Sequence, residues 1–292
     1  MSRILVTGRD GQVARSLAQR NQGHEMIFAA RPEMDLADPD SIRGAIRHAR
    51  PDYIISAAAY TAVDKAESEA DLAMLINGAA PGIIGQAAAE LGVPVLHLST
   101  DYVFDGSSEY PYRPEDPVAP LGAYGRSKLA GEQALAAAGA HYAIIRTAWV
   151  YSPFGSNFVK TMLRLAETRD EIAVVADQIG CPTSAFDIAD MLLSIVSRWT
   201  RQPGLGLDRT YHYAGRGQAS WAEMARAIFA LSADMGGPSA RVKEITTAEY
   251  PTAASRPANS RLNCADMENV FDMELRDWHS ALETVVRQIL NQ

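Results

Sequence analysis

An apolar, strand-like run, Arg3-Ile4-Leu5-Val6-Thr7, leads directly into Gly8-Arg9-Asp10-Gly11-Gln12-Val13-Ala14 and then into a helix-like stretch. Few folds place two glycines at this spacing between a strand and a helix. Gly8 permits a tight turn. Gly11 lets backbone amides approach a pyrophosphate at the helix N-terminus, where the dipole favours negative charge. Ala14 is small enough for close packing of helix on sheet. A glycine turn alone is weak evidence, since many α/β proteins use one structurally. In this context it reads as a dinucleotide fingerprint, with Gly8, Gly11, Gln12 and Val13 as candidate cofactor contacts.

The rest of the chain repeats the strand–helix rhythm. Ile4–Thr7, Met26–Ala30, Tyr53–Ala58, Val95–Ser99 and Tyr142–Ala148 read as strands, apolar throughout rather than alternating. That pattern belongs to parallel strands covered on both faces. The helix candidates are Gln12–Arg20, Pro39–Ala49, Glu69–Leu91 and Ala123–Ala138; Asp38-Pro39 marks a capped start, Gly92 and Pro94 a stop, and Pro81 a kink or split. The expectation is an α/β protein built on a doubly wound parallel sheet with right-handed crossovers. The rhythm breaks near residue 150. Residues 1–150 are expected to form the cofactor domain, with a late strand near 210–214 returning to it, and 151–292 a smaller α+β substrate region. Asp105–Pro120, with four prolines, reads as a long surface loop.

Composition narrows the function classes. Of 292 residues, 35 are acidic and 27 basic, a net charge of −8, which argues against nucleic acid and other extended polyanions as partners. The apolar runs are short and interrupted, so no membrane span is expected. The chain enters its first strand directly, so no leader is expected. The two cysteines, Cys181 and Cys264, are too few for a disulfide or zinc framework. A cytoplasmic chain that folds without metal is expected.

Cofactor choice is read at the end of the second strand, where an acid accepts from a ribose 2′-OH and an arginine accommodates a 2′-phosphate. Here Ala30 is followed by Arg31, which favours NADPH; Glu33 and Asp35 stand close enough to keep NADH open. Asp35 and Leu36 are placed to flank the adenine. The small residues of Ala57–Thr61 let the backbone pass close to a cofactor, which adds Ala59, Tyr60 and Thr61 as candidates.

The fourth strand runs into Ser99-Thr100-Asp101, at the carboxyl end where parallel sheets bind ligands. Tyr124 and Lys128 follow, four residues apart on one helix face. An ammonium near the phenol is expected to lower the tyrosine pKa from about 10 and make it a usable proton donor or acceptor. A lone YxxxK is common. The order glycine turn, strand-end hydroxyl and YxxxK is far more specific.

With Ala57–Lys65 (AAAYTAVDK), Ser99–Phe104 (STDYVF), Leu129–Glu132 (LAGE), Arg146–Tyr151 (RTAWVY), Gln178–Thr183 (QIGCPT) and Arg256–Leu262 (RPANSRL), the chain resembles the extended short-chain dehydrogenase/reductase family along nearly its whole length. The resemblance implies a Rossmann-type fold. It also implies reduction of the C4 keto group of a dTDP-linked 4-keto-6-deoxy sugar by NADPH, feeding cell-surface polysaccharide synthesis. Tyr124 would donate the proton, Lys128 would lower the tyrosine pKa and hold the nicotinamide ribose, and Thr100 would bond the reacting oxygen. Asp101 and Trp149 would contact the sugar nucleotide.

Departures discriminate within the family. Sugar-nucleotide dehydratases carry Asp-Glu after the threonine; here Tyr102 follows Asp101, which removes the acid/base for water elimination. Some relatives bridge a dimer through magnesium held by acids that fall here on Ser16 and Phe186, so a monomer or weak homodimer without a magnesium bridge is expected. Arg256, with Arg261 and Asn259, is a candidate for the diphosphate. His97 and His212 read as packing residues, Cys181 has no histidine partner pattern, and Asn77 reads as a buried hydrogen-bonding residue near the lysine. Two alternatives stand: a reductase of another nucleotide-linked 4-keto-6-deoxy sugar, and a non-catalytic partner resembling the regulatory subunit of methionine adenosyltransferase.

Overall fold

The computed structural model describes residues 1–21 and 23–292. Its central sheet holds β1 (Arg3–Thr7), β2 (Glu25–Ala29), β3 (Tyr53–Ser56), β4 (Val95–Thr100), β5 (Tyr142–Thr147) and the tenth strand in chain order, β10 (Arg209–His212). The six strands lie in the order β10-β5-β4-β3-β1-β2, and every pairing is parallel. The apolar runs do not alternate because both faces are buried. Ile4 and Val6 enter one core with Leu17 of α1 (Gln12–Arg20) and Ile188 and Leu192 of α8 (Ala185–Arg201). Leu5, between them, enters the other with Ile42 and Ile46 of α2 (Pro39–Ala49) and Ile84 of α5 (Ala80–Leu91). Each such side chain contributes roughly 1.5–3 kcal/mol. The doubly wound expectation is met.

Helix ends follow local chemistry. The Asp38 side chain accepts from the amides of Asp40 and Ser41 at the start of α2, with Pro39 at the first position. α5 stops at Gly92 in the left-handed region. The helix candidate over 69–91, expected to kink or split at Pro81, is α4 (Ala70–Ala73), a π turn (Met74–Ala79) and α5, after a short α3 (Val63–Ala66). Pro81 has no N–H for the carbonyl of Asn77 four residues back, and the backbone widens there. Ala70–Leu91 spans 22 residues and contains an 18-residue window of mean hydropathy 1.3, 56% of it buried, long and apolar enough to cross a membrane, against the expectation that no run would be. Its apolarity comes largely from alanine, isoleucine and leucine that pack against α2 and α6 (Ala123–Ala136).

The later chain builds short pieces. β6 (Val150–Tyr151) pairs with β9 (Thr183–Ser184), β7 (Glu171–Val175) with β12 (Arg241–Ile245), and β8 (Ile179–Gly180) with both β11 (Ala219–Ser220) and β13 (Asn259–Ser260). Around them lie α7 (Phe158–Ala166), α9 (Trp221–Asp234), α10 (Ala265–Phe271) and α11 (Trp278–Leu290). Val159, Leu163, Ile172, Ile228, Leu282 and Val285 form part of a separate apolar core. The 105–120 segment is strapped to the late chain. Tyr112 N donates to Arg261 O at 2.8 Å, and Asn259 Nδ2 donates to Ser108 O at 2.7 Å.

Candidate functional site

The N-terminus of α1 opens into a cleft of about 530 Å³ at the carboxyl ends of β1, β3 and β4. This is the switch point of the sheet, where β1 has β2 on one side and β3 on the other. Gly8 adopts φ +88°, and a Cβ there would stand 3.1 Å from Ala58 Cβ, so only glycine suits the turn. Gly11 begins α1 with no side-chain cap and no acid in the first turn, which leaves the helix-start amides for an anion. The Thr7 hydroxyl accepts from the amides of Ala57 and Ala58 at 3.0 Å each, drawing the turn after β3 against the glycine turn. This cradle fits the phosphates of a dinucleotide.

Gly8, Gly11, Gln12, Val13, Ala59, Thr61, Tyr124 and Lys128 all line this cleft. The Gln12 side chain is otherwise engaged: its Oε1 accepts from Ser152 Oγ at 2.8 Å and Asn157 Nδ2 at 3.0 Å, so its amide rather than its side chain faces an anion. Those bonds tie down the 152–157 loop, whose Gly155 and Ser156 also line the cleft. Sequence reasoning missed both, although a glycine just after a strand was an available signal. Arg31 is exposed beyond β2, and the Asp35 carboxylate accepts from Ala37 N at 2.9 Å, within its own turn. Arg9, not singled out by sequence, pairs with Glu33 at 3.2 Å beside the end of β2. It adds a cation at that end of the cleft and neutralises the acid that had clouded the cofactor reading.

The reacting groups are held from several sides. Glu67 Oε1 accepts from Ala123 N at 2.7 Å and so caps α6, the helix carrying Tyr124 and Lys128. Asn77, in the π turn, accepts from Tyr60 N at 2.8 Å and donates to Tyr60 O at 3.0 Å and Ser127 Oγ at 3.1 Å. It pins the Ala59–Thr61 turn to α6 one residue before the lysine. Below, the Glu132 carboxylate takes Arg146 Nη2 at 2.7 Å and Ser99 Oγ at 2.5 Å, a buried pair that fixes β4, β5 and α6 together.

Tyr124 packs edge-on against Tyr102, ring centroids 5.6 Å apart. Burial pushes its phenol up to about 12, the Thr100 hydroxyl pulling against this and the Asp101 charge adding to it. The expected lowering by Lys128 is therefore not what the geometry gives. The ammonium donates to Leu98 O at 2.7 Å, and desolvation is the largest influence on the phenol. Burial lowers Lys128 itself to about 8, with Glu132 opposing. At neutral pH the site presents a protonated phenol and a charged ammonium. Thr100 Oγ1 donates to Asp101 Oδ1 at 2.9 Å. Burial raises the Asp101 carboxyl to about 6, with the nearby Ser260 and Thr100 hydroxyls pulling against it, and its Oδ2 has no hydrogen-bond partner among the described residues. A buried carboxylate oxygen of this kind suits a ligand hydroxyl.

A second cavity of about 460 Å³ lies in the later part of the chain, with Arg256 and Tyr250 on one side and Arg169 on another. Trp149, at φ 48°, stacks on Trp221 with centroids 3.5 Å apart, and Phe158 tilts against Trp221 at 4.6 Å. Gly180 makes room, since a Cβ there would lie 2.4 Å from the Trp149 ring. Gln178 Oε1 accepts from Trp221 Nε1 at 3.2 Å. Phe158 and Trp221 carry no short-range motif and were not legible in the sequence; Gln178 opens the QIGCPT segment, but its bond to Trp221 was not legible there. Arg256 is bidentate on Asp64 of α3, at 2.7 and 3.1 Å. Arg261 and Asn259 serve the loop instead: Arg261 donates to Glu109 O at 2.6 Å and to Asn259 Oδ1 at 2.8 Å. His212 Nδ1 lies 3.0 Å from Tyr112 O, a buried packing bond.

Residues 1–291 match the family model described as RmlD substrate binding domain. The chain is 48% identical over 289 residues to a dTDP-4-dehydrorhamnose reductase of Sinorhizobium fredii, covering 99% of this chain and 98% of that protein. It is 38% identical over 290 residues to the spore coat polysaccharide biosynthesis protein SpsK of Bacillus subtilis, covering 99% and 98%. Among solved structures, the dTDP-4-dehydrorhamnose reductase of Bacillus anthracis in complex with NADP superposes with a TM-score of 0.90 at 34% identity, covering 98% of this chain and 99% of that one.

Proposed function

The chain belongs to the RmlD substrate-binding-domain family, and from that membership we propose that it reduces the C4 carbonyl of dTDP-4-dehydro-L-rhamnose to give dTDP-L-rhamnose, with NADPH as reductant. The observation that carries the reading is the convergence of Thr100, Tyr124 and Lys128 at the carboxyl end of β4, beside a glycine cradle built for a dinucleotide. When bound there, NADPH supplies a hydride.

The residues do the remaining work. Tyr124, a neutral phenol, hands its proton to the oxygen that becomes the C4 hydroxyl. Thr100 hydrogen-bonds the same oxygen and orients it. The Lys128 ammonium stabilises the phenolate left behind, and its third N–H is available to a ribose hydroxyl. Asp101 Oδ2 accepts from a sugar hydroxyl. The Trp149–Trp221 stack forms one wall for the sugar nucleotide. The second cavity takes its nucleoside end, and Arg256 lies between as the diphosphate contact. Arg31 and Arg9 attend the 2′-phosphate, with Asp35 and Leu36 at the adenine and Tyr60 beside the middle of the cofactor. In this division of labour residues 1–150 with β10 hold the cofactor, and 151–292 mainly hold the substrate. The setting is the cytoplasm, and no magnesium bridge is needed between copies.

The test is loss of NADPH absorbance on adding the dTDP-linked keto sugar, repeated with the same sugar on UDP and GDP. Turnover only with a keto sugar, and fastest on dTDP, supports the reading. Rapid turnover on another nucleotide with little on dTDP moves it to a different nucleotide sugar. No turnover on any of them points to a non-catalytic partner.

A further inference from the structure

His97 sits in the middle of β4, fully buried and in register with Ser56 on β3. Its Nδ1 lies 3.0 Å from Ser56 Oγ, and its Nε2 lies 3.5 Å from Lys128 Nζ. An ammonium has three donors. Lys128 gives one to Leu98 O at 2.7 Å and aims a second at His97. That leaves the third for the cleft that Lys128 lines. For Nε2 to accept, the ring must be neutral with its proton on Nδ1, donated to Ser56. Burial and the adjacent ammonium both hold His97 well below its ordinary value, so the neutral ring persists at any working pH.

We propose that His97 is a positioning residue for the reduction: the donor-only ammonium selects the tautomer in which Nε2 accepts from Lys128, Ser56 Oγ supports it by accepting from Nδ1–H, and the Lys128 bond aims the ammonium into the cleft beside Tyr124. The inference rests on the reading of Lys128 given above. His97 touches neither substrate nor cofactor, and it acts only through the lysine. The charged and titratable groups around Lys128 are His97 on β4, Tyr124 one turn back on α6 and Glu132 one turn on, the last already paired with Arg146 on β5. Of these, His97 alone bonds the ammonium directly from below. Without that acceptor a desolvated ammonium is less stable, and Lys128 loses its proton at lower pH.

The test is NADPH affinity by fluorescence titration across a pH series, for the unmodified protein and for His97→Leu, His97→Gln and Ser56→Ala, each with a thermal melt. His97→Leu is expected to weaken NADPH binding about tenfold, as for a lost hydrogen bond to a charged group. Its alkaline limb should move down by about one pH unit. His97→Gln, whose amide oxygen accepts, should recover most of both, and Ser56→Ala should fall between. A folded His97→Leu with unchanged affinity and an unchanged limb overturns the proposal, as does a folded His97→Gln no better than His97→Leu. Should His97→Leu not fold, Ser56→Ala decides: a profile superimposed on the unmodified one overturns the proposal. Failure of the unmodified protein to bind NADPH would overturn the functional reading itself, and this inference with it.

Discussion

Asp101 shows what the site costs the fold. Its carboxyl is raised to about 6 because burial penalises the charge more than Ser260 and Thr100 relieve it. In the unfolded chain the value is about 3.9. A folded-state value above the unfolded one means that the stabilising share of this group is complete below the unfolded value and is lost as pH rises through about 6. At neutral pH Asp101 therefore strains the fold. Asp101→Asn keeps an oxygen for Thr100 and removes the charge. It should be more stable than the unmodified protein by about 2–3 kcal/mol near pH 7 in urea unfolding, with the gain fading toward pH 4, while its KM for the keto sugar rises. An equal gain at both pH values would contradict this account of Asp101. The same residues set the rate profile. Activity should fall on the acid side near 6, as Asp101 takes up a proton, and on the alkaline side near 8, as Lys128 loses one. Tyr124, near 12, stays protonated between these limbs. An alkaline limb absent up to pH 10 would show that Lys128 is not the group lost.

Elements differ in how far the sequence revealed them, and the reason is range. β1, the glycine turn and α1 are written in eighteen consecutive residues, and β4 and α6 each carry their chemistry within one element. Local pattern was enough to find them. Pro81 marked a kink in this stretch, but its form as a π turn at Met74–Ala79 was not legible, because it also depends on Gly131 of α6, where a Cβ would press within 2.0 Å of Asn77 O. The second cavity was hidden for a similar reason. Phe158 begins α7, Trp221 begins α9 and Gln178 precedes β8, so only folding brings them together. Trp149 was found, but not the stack that holds it. Trp221→Ala removes that stack, worth roughly 0.5–1.5 kcal/mol. It should raise KM for the sugar nucleotide by up to about tenfold and leave NADPH affinity unchanged. A shift in NADPH affinity as large as the shift in KM would contradict the assignment of this wall to the substrate.

At the scale of the whole chain, the acidic balance and a phosphate-rich ligand pair are reconciled by placement. On the proposed function the cations that would meet phosphates are Arg9, beside the end of β2 and paired with Glu33, and Arg256, at the second cavity and paired with Asp64. Arg256 also ties the late chain to α3, since Asp64 takes two of its guanidinium bonds and the amide of Ala254. Arg256→Ala should raise substrate KM more than it lowers kcat; an unchanged KM would remove it from the site. Ser16 is buried and donates to Gln12 O at 2.8 Å, and Phe186 is buried under Arg20. Neither position can offer a carboxylate, so sedimentation should be the same with and without EDTA; a fall in mass on chelation would contradict this. The most direct test of the central claim is keto-sugar-dependent NADPH oxidation by Tyr124→Phe, with NADPH affinity measured on the same sample. Loss of the Tyr124 phenol should lower turnover by at least about a hundredfold while affinity stays within a few-fold. A Tyr124→Phe protein that binds NADPH and keeps most of its turnover would contradict the account.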